Sequence, residues 1–240
     1  MNTIVLPTYN ERDNLRHALE RIREVADGND LPLHTLIVDD NSPDGSGRLA
    51  DRLAAERSSV EVLHRPRKEG LGPAYVAGFR RALEGGAGLV LEMDSDFSHD
   101  PAYLPRLLEA AQRADLVLGS RYVPGGGVGD WGPLRRAISR GGSAYARLVL
   151  GVEVRDLTGG FKCFRREVLE AIDLDTIGAR GYAFQVEMTY RALRRGFKVV
   201  EVPIVFRDRR AGSSKMDRAI VVEAVWRVPL LRLGPRRYTF

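Results

Sequence analysis

The 240-residue sequence holds a single cysteine, Cys163. One thiol excludes an intramolecular disulfide and fits a reducing compartment, and the simplest reading of Cys163 is a small buried hydrophobe. Long apolar runs are missing too: nowhere do the roughly 18 to 20 uninterrupted apolar residues needed to span a bilayer occur. The start, Met1-Asn2-Thr3-Ile4-Val5-Leu6-Pro7, has no basic segment ahead of an apolar stretch, so no secretory signal is expected. The end, near Phe240, carries no hydrophobic tail. These absences predict a cytoplasmic chain, at most peripheral to a membrane. No internal repeat or low-complexity tract appears, and no Gly-x-Gly-x-x-Gly follows the first strand, which argues against a dinucleotide dehydrogenase.

What is present is an ordinary globular composition, 44% hydrophobic and 29% charged, in a chain long enough for one sizeable core. A single domain over residues 1–240 is expected. The formal charge is +5 with a pI near 9.5, and the excess is arginine gathered between Arg121 and Arg147 and between Arg207 and Arg237. Such basicity suits an anion: a phosphorylated substrate, an anionic membrane surface or nucleic acid. Few aromatics interleave with the arginines, which counts against a nucleic-acid binder.

Short β-branched runs alternate with segments of helical period, the pattern of βαβ units and a mostly parallel sheet. Strands are predicted at Thr3 to Leu6, Thr35 to Val38, Val60 to Leu63, Leu89 to Met93 and Leu116 to Leu118. Between the first two, Leu15, Ala18, Leu19, Ile22, Val25 and Ala26 mark one helix face. After Arg121 the alternation stops. The glycines of Pro124 to Gly129 predict a mobile loop without regular structure. A helix is predicted from Arg135 to Leu150, a turn at Gly159-Gly160, a helix from Tyr182 to Arg194, a strand from Val199 to Val205 and an amphipathic helix from Asp217 to Leu233.

In such sheets ligands lie outside the carboxyl ends of the strands. The segments there are Pro7 to Glu11, Asp39 to Gly45, Asp94-Ser95-Asp96 and Gly119 to Tyr122. Two carboxylates one residue apart can both reach a divalent cation bridging a diphosphate; taken alone, such aspartates also close strands and start helices. Asp100 before Pro101 reads as a helix N-cap. Asp39 and Asp40 lie in a segment that makes turns without any ligand, yet the strand before them leaves Asp40 at the sheet edge. Arg121, Arg135, Arg209 and Lys215 read blandly as solvated charge. Arg121, Arg209 and Lys215, however, adjoin glycine- or serine-rich segments where backbone can approach phosphate.

Taken in order, Pro-Thr-Tyr-Asn-Glu-Arg-Asp-Asn-Leu (7–15), Val-Asp-Asp-Asn-Ser-Pro-Asp-Gly (38–45), Gly70-Leu71-Gly72, Met-Asp-Ser-Asp-Phe-Ser-His (93–99), Gly-Ser-Arg-Tyr (119–122) and Gly-Ser-Ser-Lys (212–215) cover nearly the whole chain. Through them the sequence resembles the dolichol-phosphate and polyprenol-phosphate mannose synthases of glycosyltransferase family 2. The resemblance implies the α/β GT-A fold, with a nucleotide-binding half, 1–121, and an acceptor-binding half, 122–240. It implies mannose transfer from GDP-mannose to a polyprenyl phosphate, with Mg2+ or Mn2+ as cofactor. Pro7, Tyr9, Glu11, Val38, Asp40, Ser95 and Lys215 would hold the nucleotide. Asp94, Asp96 and Ser98 would hold the metal, Ser98 standing where relatives can have a glutamine. Arg121, Arg135 and Ser139 would gather the acceptor phosphate, with Asp96, Arg121, Arg135 and Arg209 as catalytic residues. A membrane surface, and room for a membrane-embedded partner protein, follow from the lipid acceptor. The readings left open beside this one are UDP-glucose as donor and a lipid-phosphate-binding module without turnover.

Overall fold

A computed structural model describes residues 1–129, 131–179, 181–207 and 218–233. Seven strands form one sheet in the order β3-β2-β1-β4-β7-β5-β8. Four of them, β1 (Asn2–Thr8), β2 (Leu33–Asp39), β3 (Val60–His64) and β4 (Leu89–Glu92), run parallel. Successive side chains of a strand face opposite sides. In β1, accordingly, Val5 enters one apolar cluster while Ile4 and Leu6 enter the other.

The second of these clusters is covered by three helices: α1 (Arg12–Gly28), through Leu15, Leu19, Ile22 and Val25; α2 (Ser46–Glu56), through Leu49 and Leu53; and α4 (Leu104–Ala110). Onto the first pack α3 (Leu71–Glu84), through Ala74, Tyr75 and Phe79, and α7 (Tyr182–Arg194), through Phe184 and Met188. The result is a helix–sheet–helix sandwich. As predicted, Cys163 is buried, and the Asp100 carboxylate accepts from the Ala102 N–H at 3.0 Å, as an N-cap does.

The second half departs from the sequence reading in three places. First, β5 (Leu116–Ser120) does not adjoin β4. The strand β7 (Lys162–Arg165), not anticipated, inserts antiparallel between them, and β8 (Val199–Pro203) then lies parallel to β5. Second, the glycine-rich stretch is not wholly irregular: β6 (Gly127–Val128) pairs with β9 (Val205–Phe206). The predicted strand from Val199 to Val205 therefore breaks in two. At the break the Ile204 side chain turns into the core while its N–H donates to the Ser120 carbonyl at 3.0 Å, and the chain beyond leaves the main sheet.

Third, α5 (Pro133–Leu150) begins before Arg135 and buries little beyond Ser143, Ala146 and Leu150. The last helix, α8 (Arg218–Leu233), packs on α5 and α7. Its side chains are described from Trp226 onward. Val228 is buried in the core, but Trp226, Leu230 and Leu233 are exposed, so apolar side chains leave it on two faces. α6 (Arg166–Ala171) follows β7 directly.

Candidate active site

The ends of β1, β2 and β4 are tied together by the loops that leave them. The Asp40 N–H donates to the Thr8 carbonyl at 3.1 Å, the Asn10 N–H to Ser42 Oγ at 3.1 Å, and the Glu11 N–H to Ser46 Oγ at 2.9 Å. Asn10 and Asn41 both adopt φ of 58°, a left-handed turn that asparagine tolerates. Pro7 and Val38 are strand partners beneath these loops. Asp40 is buried and accepts from Arg65, which also donates to Glu69. Burial raises the Asp40 pKa, with Arg65 opposing the shift. Lys68 Nζ lies 3.9 Å from the centre of the Tyr9 ring. Beside it a cavity of about 690 Å³ is lined by Arg67, Lys68, Gly70 and Pro73 on one side and by Ile177 and Ala179 on the other.

The loop after β4 lies against the first strand, with Ser95 Oγ 3.4 Å from the Pro7 carbonyl. Asp94 is held from two directions. Its carboxylate accepts from the Tyr75 hydroxyl at 3.1 Å, and its N–H donates to His99 Nδ1 at 3.1 Å. That bond puts the proton of a neutral His99 on Nε2, and burial pushes the His99 pKa down, favouring the neutral ring. The chain reverses at Phe97, φ 65°, and the Ser98 N–H returns to Asp96 Oδ1 at 3.1 Å. Ser98 Oγ is buried with no hydrogen-bond partner among the described residues. An orphaned hydroxyl in the same short loop as two aspartates supplies oxygen donors of the kind a hard cation such as Mg2+ or Mn2+ takes. Behind the loop, Glu92 faces Lys162 across the β4–β7 pair. Burial raises the pKa of Glu92 to about 7 and lowers that of Lys162 to about 8, each opposed by the other's charge.

Arg121, at the end of β5, is only 7% exposed and is not a solvated cation. Asp156 accepts from its backbone N–H at 2.9 Å, from Nε at 2.7 Å and from Nη2 at 2.6 Å. Thr158 Oγ1 accepts from Nη2 as well. Asp156 is fixed in turn through its own N–H by Glu201. Arg135 lies over the Trp131 ring at 4.2 Å, and Ser139 accepts from the Tyr122 hydroxyl at 2.6 Å. Phe206 stands edge-on to both His99 and Trp131, so the histidine after the Asp94–Asp96 pair and the arginines share one aromatic cluster. Arg209 and Lys215 lie outside the described residues.

Of the sequence candidates, then, Pro7, Tyr9, Glu11, Val38 and Asp40 share one set of strand ends with Ser95, Asp94, Asp96 and Ser98. Arg121, Arg135 and Ser139 adjoin them through Phe206. Sequence reasoning missed Arg65, Tyr75, Trp131 and Asp156. No local motif marks them: Arg65, Tyr75 and Asp156 act on partners far along the chain, and Trp131, four residues from Arg135, stands outside every motif.

The glycosyl transferase family 2 profile matches residues 3–173. An undecaprenyl-phosphate mannosyltransferase of Micrococcus luteus is 51% identical, over 97% of this chain and 94% of its own. A polyprenol monophosphomannose synthase of Mycolicibacterium smegmatis is 48% identical, over 94% of this chain and 84% of its own. Among solved structures, glucosyl-3-phosphoglycerate synthase from Mycobacterium tuberculosis with Mn2+, UDP-glucose and phosphoglyceric acid superposes with a TM-score of 0.72 at 20% identity, covering 98% of this chain and 80% of that one. That likeness is one of fold. A GT-A sandwich, a polar crevice at its strand ends and identity near one half over almost the whole chain together establish that this chain is a glycosyltransferase and belongs to glycosyl transferase family 2.

Proposed function

We propose that the enzyme transfers mannose from GDP-mannose to a polyprenyl phosphate, with inversion at the sugar carbon. The observation that carries this reading is the common location of its parts. The Asp94/Asp96 loop touches the β1 end at Pro7 and reaches the arginine cluster through His99 and Phe206. Relatives near one-half identity bear the names of polyprenyl-phosphate mannosyltransferases.

Guanosine would lie over the loops after β1 and β2, against Tyr9, Glu11, Asp40, Ser95 and Lys215, with Arg65 holding the Asp40 carboxylate in place. Asp94, Asp96 and Ser98 would hold Mg2+ or Mn2+. Such ions commonly take one or two carboxylates and complete their coordination with substrate phosphate and water. An ion held there would supply stabilisation of the negative charge that develops on the departing diphosphate.

The nucleophile is an oxygen of the lipid phosphate, largely anionic at neutral pH because its second pKa is near 6. It forms a bond to the sugar carbon as the bond to GDP breaks, and GDP leaves with the electron pair. No strong general base is required. The obstacle is repulsion between two anions, which Arg121, Arg135 and Arg209 offset by charge-assisted hydrogen bonds while Ser139 orients the acceptor.

The lipid tail requires an apolar surface. Among the described residues no helix is long and apolar enough to cross a membrane. Leu134, Ile138 and Leu148 are exposed on α5 at helical spacing, and Trp226, Leu230 and Leu233 on α8. Arg136, Arg140 and Arg147 are exposed beside the α5 stripe. Basic helices with apolar stripes suit the interface of an anionic leaflet.

The test is transfer from GDP-mannose or UDP-glucose to a short polyprenyl phosphate, with Mg2+ or Mn2+ and with chelator. Mannosyl product of inverted configuration, lost with chelator, is expected. Preferential use of UDP-glucose, a product of retained configuration, or full activity in chelator would overturn the proposal.

A further inference from the structure

His64, the last residue of β3, carries a carboxylate on each ring nitrogen. Nε2 lies 2.8 Å from Asp51 Oδ1 of α2, and Nδ1 lies 3.3 Å from Asp39 Oδ2 of β2. Asp39 is buried, and its other carboxylate oxygen accepts from the Ser42 N–H at 3.3 Å. Ser42 Oγ in turn accepts from the N–H of Asn10, the residue between Tyr9 and Glu11. We propose that His64, held as an imidazolium between Asp51 and Asp39, is a positioning residue for nucleotide binding: it fixes the carboxylate that anchors the loop after β2, and so sets Asp40 and Tyr9 for the nucleoside. This rests on the nucleotide-sugar reading above and adds a residue to it.

Three observations favour this over an ordinary surface ion pair. An ionised carboxylate only accepts, and a neutral imidazole has one N–H, so carboxylates on both ring nitrogens are satisfied together only by the cation. The bond to Asp51 raises the His64 pKa, partial burial opposes the shift and Asp39 adds to it. Next, His64 and Asp39 are register partners, and Arg65, the following residue, donates to Asp40. The end of β3 thus supplies one cation to each of two successive aspartates. Arg65 completes the pairing by donating its N–H to the Asp39 carbonyl at 2.8 Å. Finally, α2 presses on the pair: a Cβ on Gly47 would lie 2.6 Å from Asp39 Oδ2 and 3.3 Å from His64 Cε1. The carboxylate has little room to turn to another donor.

The far end of the same loop is held without histidine. Asp44 accepts from the Arg12 N–H at 3.2 Å and from the Ser46 N–H and hydroxyl at 2.9 and 2.6 Å. Loss of the His64 proton should therefore loosen the near end, where Asp40 lies, and leave the fold intact. The carboxylates facing the ring are Asp51 and Asp39, while the neighbouring Arg65 is turned to Asp40 and Glu69. For a raised histidine the contribution is complete below the ordinary value of about 6.5 and is lost as pH rises through the raised one. Affinity for the nucleotide should fall in that direction.

The test is calorimetric titration of the full chain with GDP and, separately, with UDP, in the presence of Mg2+, from about pH 6 to about pH 9, a range that spans a raised imidazole pKa. H64Q is the reference. Its single amide nitrogen cannot occupy both ring-nitrogen positions and does not titrate, and the nucleotide's own protonation is common to both proteins. H64Q should bind GDP about threefold or more weakly than wild type at the acid end, where a charge-assisted bond is lost but tempered by exposure of the ring. At the alkaline end the two should bind equally. In D51N the loss of affinity should begin at lower pH than in wild type. A constant ratio of H64Q to wild type across the range, or a midpoint unmoved in D51N, would overturn the inference.

A proton NMR titration covers the case in which H64Q does not fold. The chain has four histidines, and the resonance of His64 is the one whose pKa falls in D51N. A ligand favoured by the protonated ring must by reciprocity raise the pKa of that ring. The His64 pKa should therefore rise when wild-type protein is saturated with GDP and Mg2+, and a pKa unmoved or lowered would count against the proposal. Protein that binds UDP and not GDP would overturn the choice of guanosine while the His64 dependence is read on UDP. Binding of neither would overturn the nucleotide reading, and the inference with it.

Discussion

Asp94 receives a hydroxyl from Tyr75, nineteen residues earlier in the chain, and its own N–H is fixed by His99. A hydrogen bond to a charged group is worth about 1.5–3 kcal/mol, but the Asp94 side chain is 30% exposed and water recovers part of that when the donor is lost. Tyr75→Phe should therefore leave the protein folded, with a small drop in unfolding midpoint. It should also raise the Mn2+ concentration needed for half-maximal GDP binding severalfold, measured by titrating metal at fixed nucleotide. Unchanged metal dependence would mean that Tyr75 serves only the core. At this scale the sequence exposes Asp94, Asp96, Ser98 and Arg121 because they sit in contiguous polar segments at strand ends. Tyr75 reads there as one more residue of an apolar helix face, and Asp156 as an unremarkable loop acid, since the partners that define them are distant in the chain.

Among the elements, α3 shows how closely helix and sheet approach. A Cβ built on Gly78 would overlap Val5 and press on Val38, buried residues of β1 and β2. Replacing glycine by alanine inside a helix normally gains about 1 kcal/mol, whereas overpacking a core costs about 1–3 kcal/mol. The clash should win. Gly78→Ala is expected to lower stability in denaturant unfolding, where a gain would show that the helix moves away freely. The predicted boundaries of α7 coincide with the observed ones because its period is sustained. By contrast β7 escaped notice, being four residues long with Lys162 and Arg165 at its ends. Its existence depends on β4 and β5 offering hydrogen bonds on both sides. The same holds for β6 and β9, two-residue strands that exist only as a pair.

For the molecule as a whole, a charge of +5 and the exposed stripes of α5 and α8 combine into one expectation about location. Single exposed apolar residues are ordinary, but contiguous patches mark interaction sites. A variant carrying Leu134→Gln, Leu148→Gln and Trp226→Gln should lose at least tenfold in co-sedimentation with anionic vesicles. Its unfolding midpoint should change little, because exposed substitutions usually stay within about 0.5 kcal/mol per site. Retained vesicle binding would exclude these two helices as the membrane face, and added salt should weaken whatever part of the binding is electrostatic.

The sequence by itself determined the α/β class, the strand-end chemistry of the first half and the supply of arginine, because alternation, turn residues and paired aspartates are local properties of a chain. Only the tertiary structure decided which charges meet: that Asp156 holds Arg121, that Arg65 backs Asp40, and that Trp131 and Phe206 join the arginines to the Asp94–Asp96 loop. Those pairings follow from strand order and register, above all from β7 entering between β4 and β5, and long-range register is set by the packing of the whole rather than by any one segment.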